Sequence, residues 1–305
     1  MRQLQLSNSG LTASNIVVGC MRMAQLSSQE AGELIRTALD EGINFFDHAD
    51  IYGKGESEVR FAEAIPMNDT IREQMIIQSK CGIRPGFYDS SKNHILSSVD
   101  QILQRLKTSY LDILLLHRPD ALIEPEEVAA AFDQLVSAGK VRCFGVSNYN
   151  PMQIELLQKY ISQQLIVNQL QLSIVHTPMI DSGMAVNMHI DQAISRENSV
   201  LDYCRMHQMT IQAWSPFQKG FIEGAFFDDR NYETLTARID QIAAKHGVTR
   251  TAVAVGWLTR HPANMQVIMG TTKPHRIIEG CQGSELPLTR EEWYGIYKAA
   301  GNMIP

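Results

Sequence analysis

The strongest constraint on the fold is the alternation of short apolar runs with amphipathic segments along the chain of 305 residues. The runs are rich in β-branched and aliphatic residues and lack the alternation of a half-solvated sheet, which predicts strands buried on both faces. The runs are IVVGC (16–20), INFFD (43–47), MIIQSK (75–80), LDILLLH (111–117), VRCFGVSN (141–148), LIVNQ (165–169), TIQAW (210–214) and VIMG (267–270).

Helical segments with clear end signals lie between these runs. The segment 27–42 starts with serine and ends in glycine, 124–140 has proline and acids in its first turn, and 150–160 starts with Asn-Pro. Strand–helix units in series without a Pro-, Gly- or Ser-rich linker predict an α/β fold, a (β/α)8 TIM barrel forming one domain over residues 1–305. An open doubly wound sheet is the alternative, but no G-x-G-x-x-G follows the first strand.

Segments outside the regular alternation predict further features. The segment 3–14 predicts a small β-hairpin before the barrel. Three connections at the carboxyl ends of the strands, 81–93, 173–192 and 215–233, are longer than a barrel requires. Loops in this position commonly form substrate pockets, and their Phe, Tyr and Met content predicts a partly apolar wall; ordinary surface loops are the alternative.

Composition limits the classes of partner. A net charge of −6 and a pI of about 5.9 argue against broad attraction to nucleic acid or to anionic membranes. The N-terminus lacks the apolar core of a signal peptide, and no apolar run is long enough to span a bilayer. Five scattered cysteines without a C-x-x-C pair predict neither a disulfide framework nor a zinc site. We therefore expect a cytoplasmic protein with no metal, nucleic-acid or membrane partner.

Ionisable residues stand at the ends of three consecutive buried runs. Asp47, Lys80 and His117 end strands two, three and four, and Tyr52 lies in the loop after strand two. Taken singly, Asp47 could cap a helix, Lys80 could extend to solvent and His117 could be a satisfied core histidine. Because the carboxyl ends of barrel strands converge on one mouth, we expect the four side chains to meet there.

Such a set of side chains suits proton transfer to a carbonyl oxygen. The Lys80 ammonium would stabilise phenolate, so we expect it to lower the pKa of Tyr52 from its usual value of about 10. Asp47 would keep the lysine charged, and neutral His117 would donate to a substrate oxygen. The set supplies no reductant, which implies a hydride-donating cofactor.

Ordered sequence blocks resemble the aldo-keto reductase family, nearest to a bacterial branch of short, soluble members, over essentially the whole chain. The resemblance implies that Tyr52 protonates the carbonyl, that Lys80 with Asp47 tunes it and that His117 orients the substrate. The blocks are GINFFDHADIYGKGESE (42–58), IIQSKCG (76–82), LDILLLHRPD (111–120), GKVRCFGVSNY (139–149), VNQLQLS (167–173), AWSPFQKG (213–220) and VIMGTTKPHR (267–276).

The resemblance also implies a site for NADP(H). Ser147, Asn148 and Gln169 would bind the nicotinamide carboxamide, and Trp214 replaces the tyrosine that usually stacks on the nicotinamide ring. The segment GTTKPHR (270–276) would hold the 2′-phosphate, which favours NADPH over NADH. The implied cofactor residues are Gly19, Met21, Ser147, Asn148, Gln169, Trp214, Ser215, Phe217, Gly220, Gly270, Thr271, Thr272, Lys273, Arg276 and Glu279.

Some positions depart from the family pattern or lie beside the four residues Asp47, Tyr52, Lys80 and His117, the tetrad. Gly280 stands where the family often has an asparagine, which would remove one adenine contact. Arg22, just after strand one, could bind an acidic substrate or pair with a loop carboxylate. We expect His48 and Asp50 to shape the loop so that Tyr52 faces the mouth.

Three functions are compatible with these residues. The leading prediction is NADPH-dependent reduction of an aldehyde or ketone by a protein that, like most of the family, is a monomer or weak oligomer. A nucleotide-binding regulatory or redox-sensing protein with negligible turnover is the second. The third is a sugar-phosphate isomerase or aldolase in which Lys80 forms a Schiff base, but it leaves Gln169 and Trp214 without a role.

Overall fold

The computed structural model describes residues 1–219 and 224–304 and contains a closed barrel of eight parallel strands with helices between them. This confirms the predicted (β/α)8 barrel. The strands are β1 (Gln3–Gln5), β2 (Thr12–Ser14), β3 (Ile16–Gly19), β4 (Phe45–Asp47), β5 (Ile76–Cys81), β6 (Ile83–Arg84), β7 (Phe87–Tyr88), β8 (Leu111–Leu116), β9 (Val141–Ser147), β10 (Leu165–Gln171), β11 (Thr210–Trp214) and β12 (Met265–Met269). The barrel closes in the order β10-β11-β12-β3-β4-β5-β8-β9, and β1–β2 and β6–β7 are separate antiparallel pairs.

Helices cover the outside of the barrel and begin at the caps that the sequence indicates. Ser27 forms a capping box with Glu30, and Asn150 forms one with Gln153. The helices are α1 (Ser28–Asp40), α2 (Glu56–Ala64), α3 (Asp69–Arg72), α4 (Lys92–Leu106), α5 (Pro125–Ser137), α6 (Pro151–Gln158), α7 (Pro178–Met184), α8 (Val200–Met206), α9 (Glu233–His246), α10 (Arg250–Thr259), α11 (Pro274–Gln282) and α12 (Arg290–Ala299). Short 3-10 turns occur at Cys20–Gln25, Tyr52–Gly55, Asp191–Ala193, Phe226–Asp228 and Arg230–Tyr232.

The predicted hairpin closes the amino-terminal end of the barrel. Strands β1 and β2 pair antiparallel, and Leu6, in the turn between them, is fully buried. Leu6 packs in an apolar cluster with residues of the barrel strands such as Val17, Phe45 and Ile113. A second, larger cluster fills the space between the strands and the surrounding helices. The interior is therefore a packed core at this end, which leaves the opposite end for a site.

The long connections differ in what they contribute. Ile83, after β5, and several residues of 215–219 and 224–228, after β11, line a cleft at the carboxyl ends of the strands. The segment 173–192 lines none of it and instead packs toward the C-terminal segment, where Thr177 Oγ1 accepts from Asn302 and Gln192 from Met303. No helix in the described residues is long and apolar enough to cross a membrane.

Candidate active site

A cleft of about 830 Å³ opens at the carboxyl ends of the barrel strands. This volume lies in the upper part of the usual range of ligand sites, roughly 300–1,000 Å³. Asp47, Tyr52 and His117 line it, and Ile51 and Ile83 add apolar surface beside them. The cleft is long enough to include residues from β3, β9, β10, β11 and β12, so it spans most of the barrel mouth.

Lys80 lies beneath the cleft and is hydrogen-bonded to Asp47 and Tyr52. Its side chain is fully buried, and Nζ lies 2.8 Å from the Asp47 carboxylate. Nζ also donates to the His48 carbonyl at 2.7 Å and to the Tyr52 hydroxyl at 3.2 Å. Three acceptors thus use the three protons of the ammonium group. Asp47, Lys80 and Tyr52, which lie on two strands and in a loop, thus form one hydrogen-bonded unit.

The loop after β4 directs Tyr52 into this unit. Gly53 and Gly55 have φ of 58° and 95°, a left-handed conformation that glycine adopts without steric cost. The turn ends where α2 begins at Glu56. The sharp turn returns the chain to the helix layer and leaves the Tyr52 side chain at the floor of the cleft.

The protonation states of Lys80 and Tyr52 follow from burial and their mutual charge. Burial alone would lower the pKa of Lys80, but the Asp47 carboxylate and Tyr52 outweigh it and raise that pKa, so the ammonium persists. Lys80 lowers the pKa of Tyr52, as predicted, but burial raises it by more. The net shift of this pKa is therefore upward, opposite to the expected decrease. Tyr52 therefore keeps its proton at neutral pH.

His117 is neutral beside this unit. Burial lowers its pKa well below the usual value, and the positive charges of Lys80 and Arg118 lower it further. The ring stands edge-on to Tyr52, with centroids 6.1 Å apart. Its Nδ1 is buried and bonds to no group in the described part of the chain. A neutral imidazole in this position can donate a hydrogen bond without carrying a charge.

The nicotinamide residues implied by the resemblance form a second hydrogen-bonded group at the ends of β9, β10 and β11. Ser147 Oγ donates to the Gln169 carbonyl at 3.0 Å and accepts from Asn148 Nδ2 at 2.8 Å. Trp214 Nε1 donates to Asn148 Oδ1 at 3.2 Å, a bond that links the indole to this group. Asn148 has a φ of 61°, which turns its side chain toward these partners. All four residues line the cleft.

Side-chain amides that the sequence reading missed lie below this group, inside the barrel. Gln78, Gln212 and Gln266 are fully buried and joined by hydrogen bonds to Asp47 and Gln169. Each is a polar residue at a fully buried strand position, directly after an apolar residue of β5, β11 or β12. That position is the signal by which sequence reading could have found them.

The far end of the cleft contains part of the predicted phosphate site. Gly270, Thr271, Arg276 and Glu279 line it, and Glu279 Oε2 accepts from Thr251 Oγ1 at 3.0 Å. Gly19, Met21, Ser215 and Phe217 also line the cleft, as implied, whereas Gly220 lies outside the described residues.

Two predicted phosphate residues, Thr272 and Lys273, lie at the rim and do not line the cleft. Lys273 is exposed at the start of α11, where its backbone N–H donates to Thr271 Oγ1. The Lys273 side chain extends into solvent at this position, so it does not form part of the cleft wall. Arg250 and Thr251, at the start of α10, line the cleft instead and were not expected.

Arg22 and Gly280 each have a structural explanation. Arg22 lines the cleft, and Nη1 donates to the Gly270 carbonyl at 2.9 Å; within the described residues it forms no ion pair with a carboxylate. Of the two alternatives for Arg22, pairing with a loop carboxylate therefore does not occur within the described residues. A Cβ on Gly280 would lie 2.2 Å from Met269 Sδ, so the asparagine typical of the family does not fit without moving Met269.

Comparison with known proteins agrees with this architecture. The sequence model of the Aldo/keto reductase family matches residues 15–300. The chain is 35% identical to 6-dehydroglucose reductase of Novosphingobium aromaticivorans, covering 99% of this chain and 96% of the relative. It is 33% identical to the oxidoreductase YdhF of Escherichia coli, over 98% of both chains.

Solved structures share the fold. The thermostable aldo-keto reductase Tm1743, determined in complex with the inhibitor epalrestat, superposes with a TM-score of 0.78 and covers 98% of this chain at 24% identity. The family match and the oxidoreductase relatives support carbonyl reduction in general. The chain belongs to the aldo/keto reductase family, whose members typically use a nicotinamide cofactor.

Proposed function

We propose that the protein reduces an aldehyde or ketone to the alcohol with NADPH. The observation that carries this proposal is the placement of Lys80 Nζ, which contacts the Asp47 carboxylate and the Tyr52 hydroxyl at the floor of a ligand-sized cleft. A phenol held against a buried ammonium is suited to give up a proton to a developing alkoxide.

The residues of the cleft fit a nicotinamide dinucleotide. Gln169, Asn148 and Ser147 present amide and hydroxyl groups for the carboxamide, and Trp214 presents a ring face. When bound, the cofactor supplies the hydride that none of these side chains can provide. Gly270 leaves open space at the cleft wall, since nothing lies within 4 Å of where its Cβ would be.

The chain's own residues handle the proton. His117, neutral and close to Tyr52, donates a hydrogen bond to the substrate carbonyl and orients it. The O–H bond of Tyr52 breaks as its proton passes to the carbonyl oxygen, and the phenolate that forms is stabilised by Lys80. Asp47 keeps the lysine charged throughout.

Cations at the far end of the cleft favour NADPH over NADH. Arg276 and Thr271 line this end, and Lys273 lies at its rim. Arginine and hydroxyl groups suit the 2′-phosphate that distinguishes NADPH. The free, mostly buried cysteines and the acidic net charge fit a cytoplasmic setting, and we propose that the protein acts there as a monomer or weak oligomer.

The variant Tyr52→Phe tests the proposal because it removes only the hydroxyl. We expect turnover of aldehydes and ketones to fall by about 10²–10⁴-fold, the usual contribution of a general acid. Binding of NADPH, measured by quenching of tryptophan fluorescence, should stay within about twofold of wild type, since no cofactor contact depends on that hydroxyl.

The matched control is Tyr160→Phe, at an exposed tyrosine outside the cleft, which should leave turnover unchanged. Wild-type protein should bind NADPH more tightly than NADH. Full activity in Tyr52→Phe would contradict the assignment of the acid, and the absence of binding to either dinucleotide would contradict the proposed function as a whole.

A further inference from the structure

A network of side-chain amides crosses the barrel below the cofactor residues. Gln266 Nε2 donates to the Ser14 carbonyl at 2.8 Å, and Gln212 Nε2 donates to Gln266 Oε1 at 2.9 Å. Gln78 and Gln212 bond reciprocally, at 2.8 Å and 3.2 Å. All three glutamines are fully buried, so water does not compete for these bonds. The strand register makes the network possible, since Gln169, Gln212 and Gln266 are partners on β10, β11 and β12.

The network has a fixed direction. An amide side chain can exchange its oxygen and nitrogen by rotation, and only its hydrogen-bond partners determine which way it faces. At one end the Ser14 carbonyl accepts only, and at the other end the Asp47 carboxylate accepts only. Gln266 must therefore direct its nitrogen to the Ser14 carbonyl, and Gln78 must direct its nitrogen to the Asp47 carboxylate. These two orientations fix the orientation of Gln212, which lies between them. Both ends require the same orientation of Gln212.

The orientation of the network also constrains the side-chain amide of Gln169. Its Nε2 donates to Asp47 Oδ1 at 3.1 Å and to Gln212 Oε1 at 3.0 Å, which uses both amide protons. No donor in the described part of the chain bonds to Gln169 Oε1, and Gln169 lines the cleft. The side chain therefore offers the cleft an oxygen, which accepts hydrogen bonds, and withholds its nitrogen.

We propose that Gln78, Gln212 and Gln266 are positioning residues that fix the amide of Gln169 so that its oxygen faces the cleft and selects a ligand with an NH₂ group. This inference rests on the proposed function, in which that ligand is the carboxamide of the nicotinamide ring. The three glutamines do not line the cleft. They act through Gln169 and through Asp47, which accepts from Gln78 at 2.6 Å.

A comparison of two cofactors separates this role from a general contribution to stability. The acetylpyridine analogue of NADP⁺ carries a methyl group in place of the carboxamide NH₂, so it cannot donate to Gln169 Oε1. The ratio of the Kd of the analogue to that of NADP⁺ measures the selection. The probe is fluorescence quenching by each dinucleotide, which requires no turnover.

In Gln212→Met the second acceptor of Gln169 Nε2 is lost, so only the Asp47 carboxylate still orients the amide. We expect the Kd ratio to fall by about three- to tenfold, the contribution of one hydrogen bond. Gln266→Met, one step further from the cofactor, should lower the ratio by a smaller factor. It also provides a second test if Gln212→Met does not fold.

Gln212→Glu is the conservative rescue. A carboxyl buried near Asp47 stays protonated at neutral pH, because burial and the neighbouring negative charge both oppose ionisation. Its carbonyl oxygen then accepts from Gln169 and its single hydroxyl proton goes to Gln266, so the bond to Gln78 Oε1 is lost but the direction of the network toward Gln169 is kept. We expect the Kd ratio of Gln212→Glu at pH 7 to stay within about twofold of wild type.

Three results would decide the matter. A reduced ratio in Gln212→Met, retained in Gln212→Glu, supports the positioning role. Equal weakening of both dinucleotides in the Met variants, with an unchanged ratio, overturns it and leaves a structural role only. If wild-type protein binds neither dinucleotide, the proposed function itself fails, and the inference fails with it.

Discussion

At the residue scale, the loop after β4 combines groups whose protonation differs from that in water. Both ring nitrogens of His48 are buried without a partner in the described residues, and burial lowers its pKa to about 3. Burial also raises the pKa of Asp50 to about 7, with a further increase from the charge of Glu58. Neither side chain lines the cleft, and their predicted role in shaping the loop stays a prediction.

Asp50 makes stability depend on pH in a defined direction. The folded state holds the Asp50 proton up to about pH 7, whereas an unfolded aspartate loses it near 3.9. Between these values the folded state binds more protons, so stability falls as pH rises through the window and is lowest above it. The variant Asp50→Asn has no ionisable group at this position, so it should not lose stability as the pH rises through this window.

We therefore expect Asp50→Asn to be more stable than wild type at pH 8 by on the order of 2 kcal/mol, with the difference shrinking toward pH 4. Urea unfolding at both pH values measures it. The control Asp240→Asn removes the same charge from a surface carboxylate bonded to Arg250 and should not stabilise the protein at pH 8. A difference for Asp50→Asn that grows toward low pH would contradict the assignment.

At the element scale, the packing of α10 on α11 depends on a residue without a side chain. Gly283, at the end of α11, has an ordinary φ of −80°, so backbone strain does not explain it. A Cβ there would lie 2.3 Å from the Ala252 carbonyl oxygen and 2.7 Å from Val255 Cβ. Because a helix backbone carbonyl cannot move aside as a flexible side chain can, the helices would have to separate.

Gly283→Ala should therefore destabilise the protein by about 1–3 kcal/mol, as overpacking does. Gly183→Ala is the matched control, since Gly183 lies in α7 with nothing within 4 Å of its Cβ position. That change should be neutral or stabilising by about 0.5–1 kcal/mol. Denaturant unfolding of the two variants gives the comparison, and equal effects would rule out the steric explanation.

At the scale of the whole molecule, the hairpin and the barrel form one core. Leu6 and the smaller Ala13 are the fully buried residues through which the hairpin enters the cluster of the barrel interior. Truncation of Leu6 leaves a cavity that is surrounded by strands from all sides of the barrel. Because the barrel is closed, its strands cannot easily move inward to fill that cavity.

We expect Leu6→Ala to lower the free energy of unfolding by about 2–5 kcal/mol. The control Leu122→Ala changes a leucine that is 87% exposed and should have no measurable effect. Unfolding in urea followed by circular dichroism is the measurement. A small effect at Leu6 would mean that the hairpin contributes little to the barrel core.

Local patterns in the sequence predict much of this architecture. Runs such as LDILLLH are apolar on both faces, and only a buried parallel sheet satisfies eight of them in series. Caps such as Ser27 mark where helices begin. The positions of Asp47, Lys80 and His117 at strand ends are equally local, because a barrel brings all such ends to one mouth whatever their separation.

The contacts across the barrel and the protonation states depend on the tertiary structure. Gln78 and Gln212 are 134 residues apart, and their pairing depends on strand register and barrel closure, which no local pattern encodes. The direction of the Tyr52 pKa shift likewise depends on how deeply the assembled barrel buries the phenol relative to the charge of Lys80. The sequence by itself determined which groups stand at the mouth. Their orientations and protonation states follow from contacts across the barrel, which exist only once it has closed.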